Sequence, residues 1–103
     1  MLAKLTDMEI ANGLERLIGW EVRNSKLHRV FRFADFAEAF GFMATCAVVA
    51  ERMNHHPEWS NVYNVVDVEL TTHDAGGLSD LDFKLAQRMD ELHSGRGARS
   101  AQE

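Results

Sequence analysis

The segment that decides the fold is WSNVYNVVDVELTT, residues 59–72, which is rich in β-branched and aromatic residues. This composition is typical of β-strands. In an unbroken strand, alternate residues from Val62 to Thr72 would share one face. Tyr63-Asn64 favours a turn or bend instead, which splits the segment into two strands. Because the connection is so short, we expect the two strands to pair antiparallel.

A second pair of strands lies nearer the amino terminus. Residues 20–23 and 27–33 have strand-like patterns, and Asn24-Ser25 between them is typical of a tight hairpin turn. The two pairs together predict an antiparallel sheet of four strands.

Three helix starts share one device, a capping residue followed three positions later by a carboxylate. The pairs are Thr6 with Glu9, Asp35 with Glu38, and Ser79 with Asp82. Apolar spacing then predicts helices over residues 7–18, 36–54 and 80–92. The element order is α-β-β-α-β-β-α, and short connections favour an α+β fold with all three helices on one face of the sheet. Residues 1–93 form one domain in this prediction, and residues 94–103 form a flexible tail.

The second helix is apolar on nearly every side. One stripe contains Phe36, Phe40, Met43, Ala47, Ala50 and Met53, and a second contains Phe42, Cys46 and Val49. A helix of this kind is typically buried on two sides. We therefore expect a homodimer or homotetramer, formed through this helix or through the sheet edges.

Length and charge narrow the class of protein. The chain has 103 residues, of which 46% are apolar and 26% charged, and its formal net charge is −5. The acidic balance argues against a nucleic-acid partner, and no apolar run is long enough to predict a membrane span. With one cysteine, Cys46, an internal disulfide framework is excluded. We expect a cytoplasmic protein with no membrane partner.

Histidines provide the candidate chemistry. Glu51 and His55 share one face at the end of the second helix, and Pro57 places His56 in an extended exit from it. His73 begins the loop after the last strand. Imidazole titrates near neutral pH, so these three histidines could act as acid and base.

Simpler interpretations stand beside that one. A histidine at a helix carboxyl end commonly interacts with the helix dipole, and a histidine at a strand end is more often structural. Zinc is disfavoured because the spacing is not that of a His-Glu-x-x-His helix. His28 and His93 are predicted to be surface residues. Trp59 is either sheet packing or a stacking wall for a flat ligand.

Three blocks together resemble the pterin-4a-carbinolamine dehydratase family. They are ERMNHHPEW at residues 51–59, NVYN at 61–64 and THDAGGLS at 72–79, and the similarity runs from the first helix to about Leu92. The resemblance implies the same α+β fold with four antiparallel strands and three helices. It also implies dehydration of 4a-hydroxytetrahydrobiopterin to quinonoid dihydropterin, with no metal and no organic cofactor.

The resemblance also implies site residues. His55, His56 and His73 match the three active-site histidines of the family, with acid–base roles for His55 and His73 and mainly substrate positioning for His56. Glu51 matches an acid that would bind the amino-pyrimidine edge of the pterin or hold His55. The substrate-binding set that it implies is Glu51, Asn54, Pro57, Trp59, Thr72 and Asp82.

This sequence departs from the family at two positions. Asn54 stands where members often have Asp, and Leu81 stands where they commonly have Arg. These departures put the rate and the substrate preference in question more than the reaction class. Two other functions stay open: a protein-binding module that stabilises a transcription-factor dimer, and a dehydratase-like protein acting on another pterin.

Overall fold

The computed structural model describes the backbone of residues 2–102 and the side chains of residues 2–95. The helices are α1 (Asp7–Leu14), α2 (Phe36–Met53) and α3 (Asp80–Gln102), and the strands are β1 (Glu21–Arg23), β2 (Lys26–Arg32), β3 (Glu58–Val62) and β4 (Val65–Leu70). A short 3-10 turn, His73–Ala75, joins β4 to α3. The predicted order and fold class are confirmed.

The four strands form one antiparallel sheet in the order β1-β2-β4-β3. Asn24 and Ser25 both have positive φ, 54° and 65°, which is the backbone of a tight hairpin turn between β1 and β2. Tyr63, with φ 51°, turns the chain between β3 and β4. Both predicted turns are confirmed.

The core lies between one face of the sheet and the helices. Alternate residues of β2 and β4 are buried there, and α2 and α3 cover them. The largest fully buried apolar side chains are Phe31, Phe42, Leu27, Leu70, Leu85 and Met89.

Helix α2 presents its second stripe to the sheet, because Phe42 and Cys46 are fully buried together with Ala39. The stripe that begins at Phe36 divides. Its residues near the start of the helix, Phe36 and Phe40, are 50% and 57% exposed, whereas Ala50 near its end is buried.

Two helix ends differ from the sequence prediction. Helix α1 ends at Leu14 rather than near Ile18, because the chain tightens into turns that carry Leu17 and Trp20 into the core. Ile18, the last residue of the predicted helix, lies outside α1 and is 87% exposed. Helix α3 continues past Leu92 to Gln102. The flexibility of segment 94–103 stays a prediction, and Glu103 lies outside the described residues.

The prediction that His28 and His93 lie at the surface is wrong. His28 is buried on the sheet face away from the helices, where Nδ1 lies 2.8 Å from Glu21 Oε2 and Nε2 lies 3.0 Å from Asp67 Oδ1. His93 is half-buried against aromatic rings, with its centroid 5.2 Å from that of Phe31. Local pattern missed both because their burial depends on side chains from other elements, such as Asp67 of β4 for His28 and Phe42 of α2 for His93.

Within residues 2–102, no helix is both long enough and apolar enough to cross a membrane.

Candidate active site

The end of helix α2 sets the position of His55. Asn54 adopts the left-handed conformation, with φ 51° and ψ 43°, which asparagine tolerates better than most residues. The His55 amide then donates to the carbonyl of Ala50, five residues earlier, over 3.0 Å, and the Asn54 amide donates to that of Glu51 over 3.1 Å, which is the hydrogen-bond pair of a Schellman motif. This reversal turns the His55 side chain back toward the start of α3.

At the start of α3, the His55 ring contacts a buried carboxylate. The distance from His55 Nε2 to Asp82 Oδ1 is 2.6 Å, and Asp82 is fully buried. Its other oxygen accepts from the Thr72 hydroxyl at 2.7 Å and from the Ser79 amide at 2.9 Å. The predicted pair of Ser79 and Asp82 therefore forms at the start of α3, and the same carboxylate also orients His55.

These contacts give two predicted substrate ligands hydrogen-bond partners within the protein. Thr72 and Asp82 are both buried, and both oxygens of Asp82 are engaged by groups of the protein. Their arrangement favours orientation of His55. Direct contact of Asp82 or Thr72 with a substrate stays a prediction.

Glu51 partners a different histidine from the one predicted. Its Oε1 lies 2.9 Å from His56 Nε2, and both side chains are exposed. The suggestion that Glu51 holds His55 is wrong, because Asp82 takes that place. The chain has already left α2 at Asn54, and Pro57 disfavours helical backbone at His56, whose ring lies against Glu51 in the last turn of α2.

His73 lies across from these residues, at the start of the 3-10 turn. Its Nε2 is 3.1 Å from Glu58 Oε2, and its side chain is 81% exposed. The turn closes through a bridge between Thr72 and Gly77, and Gly76 supplies the positive φ of 75° that the reversal requires.

The three histidines converge on one cavity of about 260 Å³. Its lining consists of Leu2, Asn54, His55, His56, Thr71, Thr72, His73, Asp74 and Leu81. Two larger cavities, between α1 and α3 and between α2 and α3, are lined by no histidine. We place the candidate site at the smaller cavity because the acid–base groups meet there.

The remaining predicted ligands lie differently. Pro57 and Trp59 are half-buried and do not line the described cavity, and Trp59 packs against the core. Asn54 and Leu81, the two departures from the family pattern, both line it. Among the described residues, no group of three His, Cys, Asp or Glu side chains is arranged to hold a metal ion.

Sequence reasoning missed Glu58 as a site residue. Its carboxylate joins His73 to Lys26, and the hydrogen bond from Lys26 holds the pKa of Glu58 below 4.5. The same bond raises the pKa of Lys26 above 10.5. The available signal was strand parity: Glu58 pairs with Glu69 on the sheet face that also carries Lys26.

One chemical feature is common to the three histidines. Each ring has its Nε2 next to a carboxylate oxygen, from Asp82, Glu51 or Glu58. An ionised carboxylate only accepts hydrogen bonds, so a neutral ring that bonds to it through Nε2 must carry its proton there and has its lone pair on Nδ1. Such rings can accept a proton at Nδ1 and return it there.

Comparison with known proteins agrees with this geometry. The sequence profile of the family described as pterin 4 alpha carbinolamine dehydratase matches residues 3–92. A Solibacter usitatus protein, provisionally named pterin-4-alpha-carbinolamine dehydratase, is 54% identical over 95 residues, covering 92% of this chain and 100% of that protein. A Sinorhizobium fredii protein with the same provisional name is 55% identical over 95 residues and covers 90% of each chain.

A solved structure is similar as well. The crystal structure of a transcriptional coactivator/pterin dehydratase from Brucella melitensis superposes with a TM-score of 0.85 and 44% sequence identity, covering 87% of this chain and 98% of that chain. The profile match alone spans most of the 103 residues. The chain belongs to the pterin 4 alpha carbinolamine dehydratase family, whose activity is that of a lyase.

Proposed function

We propose that this protein dehydrates 4a-hydroxytetrahydrobiopterin to quinonoid dihydropterin. In this reaction the C4a–O bond breaks as an acid protonates the leaving hydroxyl, and water departs. A base takes the proton from N5, so that a C4a=N5 double bond forms. One proton is given and one is taken, and the reaction needs no oxidant or reductant.

The observation that carries the proposal is the convergence of three imidazoles on one cavity. In the proposal, His55 and His73 exchange protons with the substrate and His56 mainly positions it. Imidazole suits both tasks because its acid and base forms are both populated near neutral pH. The cavity volume of about 260 Å³ lies just below the range of about 300–1,000 Å³ for ligand pockets, which suits a small bicyclic ring better than a larger ligand.

The test follows the ultraviolet absorbance of freshly generated 4a-hydroxytetrahydrobiopterin with and without the protein. We expect acceleration that survives a chelator, since proton transfer by imidazole needs no metal or organic cofactor in this proposal. His55→Ala and His73→Ala should each lower turnover by at least about 10²-fold. Glu91→Ala, which removes an exposed partner of Arg88 on α3, is the matched control and should leave turnover unchanged. Wild-type turnover in both histidine variants would contradict the proposal.

The physiological role proposed here is recycling of tetrahydrobiopterin after aromatic amino acid hydroxylation, such as phenylalanine hydroxylation, in the cytoplasm. The alternative is another pterin substrate. Competition between the biopterin carbinolamine and carbinolamines with other side chains distinguishes the two. A clear preference for another pterin would replace the biopterin assignment and leave the reaction class intact.

We also propose that the exposed stripe of α2 mediates self-association into a dimer or tetramer. Phe36 and Phe40 of this stripe are 50% and 57% exposed, and Val48 on the same helix is 56% exposed. Large apolar side chains exposed close together are typical of association surfaces. The coactivator function in the description of the Brucella melitensis protein favours a second use of such a surface, as a binding module for a helix of a transcription factor.

Sedimentation at micromolar concentration tests the self-association. We expect an oligomer for the wild type and a monomer for Phe40→Asp, because a charge at this position would have to be buried. Met8→Asp, which changes an exposed apolar residue of α1, is the control and should stay oligomeric. A wild-type monomer would refute self-association. Capture of a foreign helix together with loss of the oligomer would favour the binding-module function.

A further inference from the structure

Glu58 stands between two side chains that belong to different parts of the fold. It is the first residue of β3, and its Oε1 accepts from Lys26 Nζ at the start of β2 over 2.5 Å. Its Oε2 lies 3.1 Å from His73 Nε2, on the turn after β4. The three side chains therefore form a short chain of hydrogen bonds that ends at the cavity.

His73 has little else to orient it. Its side chain is 81% exposed, so packing does not select a rotamer. Within the described part of the chain, the His73 ring forms its hydrogen bond with Glu58. By contrast, His55 is buried, and its ring is hydrogen-bonded to the buried carboxylate of Asp82. An exposed imidazole without such a contact would sample several rotamers and both neutral tautomers.

Lys26 holds the carboxylate of Glu58, which in turn orients the His73 ring. The hydrogen bond from Lys26 holds Oε1 of Glu58 in place and lowers the pKa of this carboxyl further below neutral pH, where the carboxylate is ionised and only accepts. Glu69, the cross-strand neighbour of Glu58, is the other acid close to this pair, and its charge raises the pKa of Lys26 further. Its own contact is with Arg23, at 3.7 Å.

We propose that Glu58, anchored by Lys26, is the positioning residue of His73: it holds the ring with Nε2–H toward β3 and Nδ1 available to the substrate. This inference rests on the proposed dehydration. In that reaction His73 gives or takes its proton at Nδ1, while Nε2 keeps its proton throughout. Glu58 touches the histidine and not the substrate, so its effect is on the populated geometry of the ring.

The experiment compares wild type, Glu58→Ala, Glu58→Gln and Lys26→Met in the dehydration assay and by ¹⁵N NMR of the His73 ring at a pH where the ring is neutral. Glu58→Ala should lower kcat about tenfold, part of the about 10²–10⁴-fold that a positioned acid or base contributes, with KM little changed. The His73 spectrum should shift from the Nε2–H tautomer toward a mixture. Glu58→Gln, which keeps an acceptor oxygen, should restore part of both signals, and Lys26→Met should have a smaller effect than Glu58→Ala.

Glu69→Gln is the matched control, since it removes a carboxylate from the same sheet face without touching His73. It should leave both kcat and the tautomer unchanged. Thermal unfolding verifies that each variant folds. An unchanged tautomer in Glu58→Ala, or a changed tautomer with unchanged kcat, would overturn the positioning role. If the wild type does not accelerate dehydration, the proposed function fails, and the NMR comparison still decides whether Glu58 sets the His73 ring.

Discussion

Asp82→Asn is the substitution that most directly separates positioning from packing at the site. Asparagine has nearly the volume of aspartate, so no cavity forms. It replaces one acceptor oxygen with an NH₂ donor. If the remaining oxygen stays with Thr72 and Ser79, the amide group faces His55 Nε2. Two donors cannot bond, so neutral His55 must move its proton to Nδ1 and present an N–H to the cavity.

The magnitude follows from these three contacts. Hydrogen bonds to a charged group contribute about 1.5–3 kcal/mol each, against about 0.5–1.5 kcal/mol for neutral ones. Loss of the charge on Asp82 should therefore lower the free energy of unfolding by about 2–4 kcal/mol. In a domain of this size, that corresponds to a fall in Tm of at least about 8 °C. Turnover should fall further, by about 10²–10⁴-fold, since the ring has the wrong tautomer for its role.

The assay combines urea unfolding, ¹⁵N NMR of the His55 ring and the rate of dehydration. Asp90→Asn is the control, because Asp90 also accepts two hydrogen bonds, from Trp20 Nε1 at 2.8 Å and Arg29 at 2.6 Å, but lies on α3 away from the histidines. It should cost stability and leave the His55 tautomer unchanged. If Asp82→Asn keeps both the wild-type tautomer and wild-type turnover, the argument is refuted.

The remaining predictions concern charge, packing and backbone. Because the pKa of Glu58 is lower in the folded protein, its contribution to stability is present above pH 4.5 and is lost as the pH falls through the pKa of the folded state. Because the pKa of Lys26 is raised, the contribution of Lys26 is lost as the pH rises beyond 10.5. The Tm difference between wild type and Glu58→Gln should therefore shrink below pH 4.5, and a constant difference would contradict this. Gly13→Ala should destabilise by about 1–2 kcal/mol in urea unfolding, because its Cβ would lie 2.5 Å from the Phe83 ring; equal or greater stability would show that the ring moves freely. Asn54→Ala should lose about 1 kcal/mol in the same measurement while Asn54→Gly does not, because glycine adopts the left-handed backbone without strain; equal losses would show that the side chain matters instead.

The parts of the fold that the sequence predicts well are those decided by neighbouring residues. The capping box of Thr6 with Glu9 forms in full, and Asp35 caps α2 through the Glu38 amide at 2.8 Å. The hairpin turn at Asn24 likewise depends on residues that are adjacent in sequence. Such features need no knowledge of the sheet order.

Features decided by distant contacts are less accessible. Helix α1 ends early because Leu17 must reach the core, a demand that helical periodicity does not contain. His28 on β2 lies next to Asp67 on β4. Its burial can therefore be predicted only when the pairing of β2 with β4 is known. His93 fills a space between aromatic rings that only the assembled core defines.

The candidate site shows the same division. His55, His56 and His73 were found from the motif blocks, and the structure brings all three to one cavity. The motif blocks predict the carboxylate partners of these histidines less well. They imply Asp82 as a substrate ligand and Glu51 as a possible partner of His55, and they give no indication of Glu58. The sequence specifies the type of each side chain, but which atom that side chain contacts depends on the fold.

Burial makes the three carboxylate–imidazole pairs physically different, although each uses Nε2 in the same way. Asp82 and His55 are removed from water, so salt screens their attraction little and the ring keeps a single orientation. The pairs of His56 with Glu51 and His73 with Glu58 are exposed, so water and ions weaken both attractions. For Glu58, the hydrogen bond from Lys26 compensates by holding the carboxylate in place. Burial therefore fixes the His55 ring, whereas hydrogen bonds fix the exposed His73 ring. This is why His73 needs both Glu58 of β3 and Lys26 of β2.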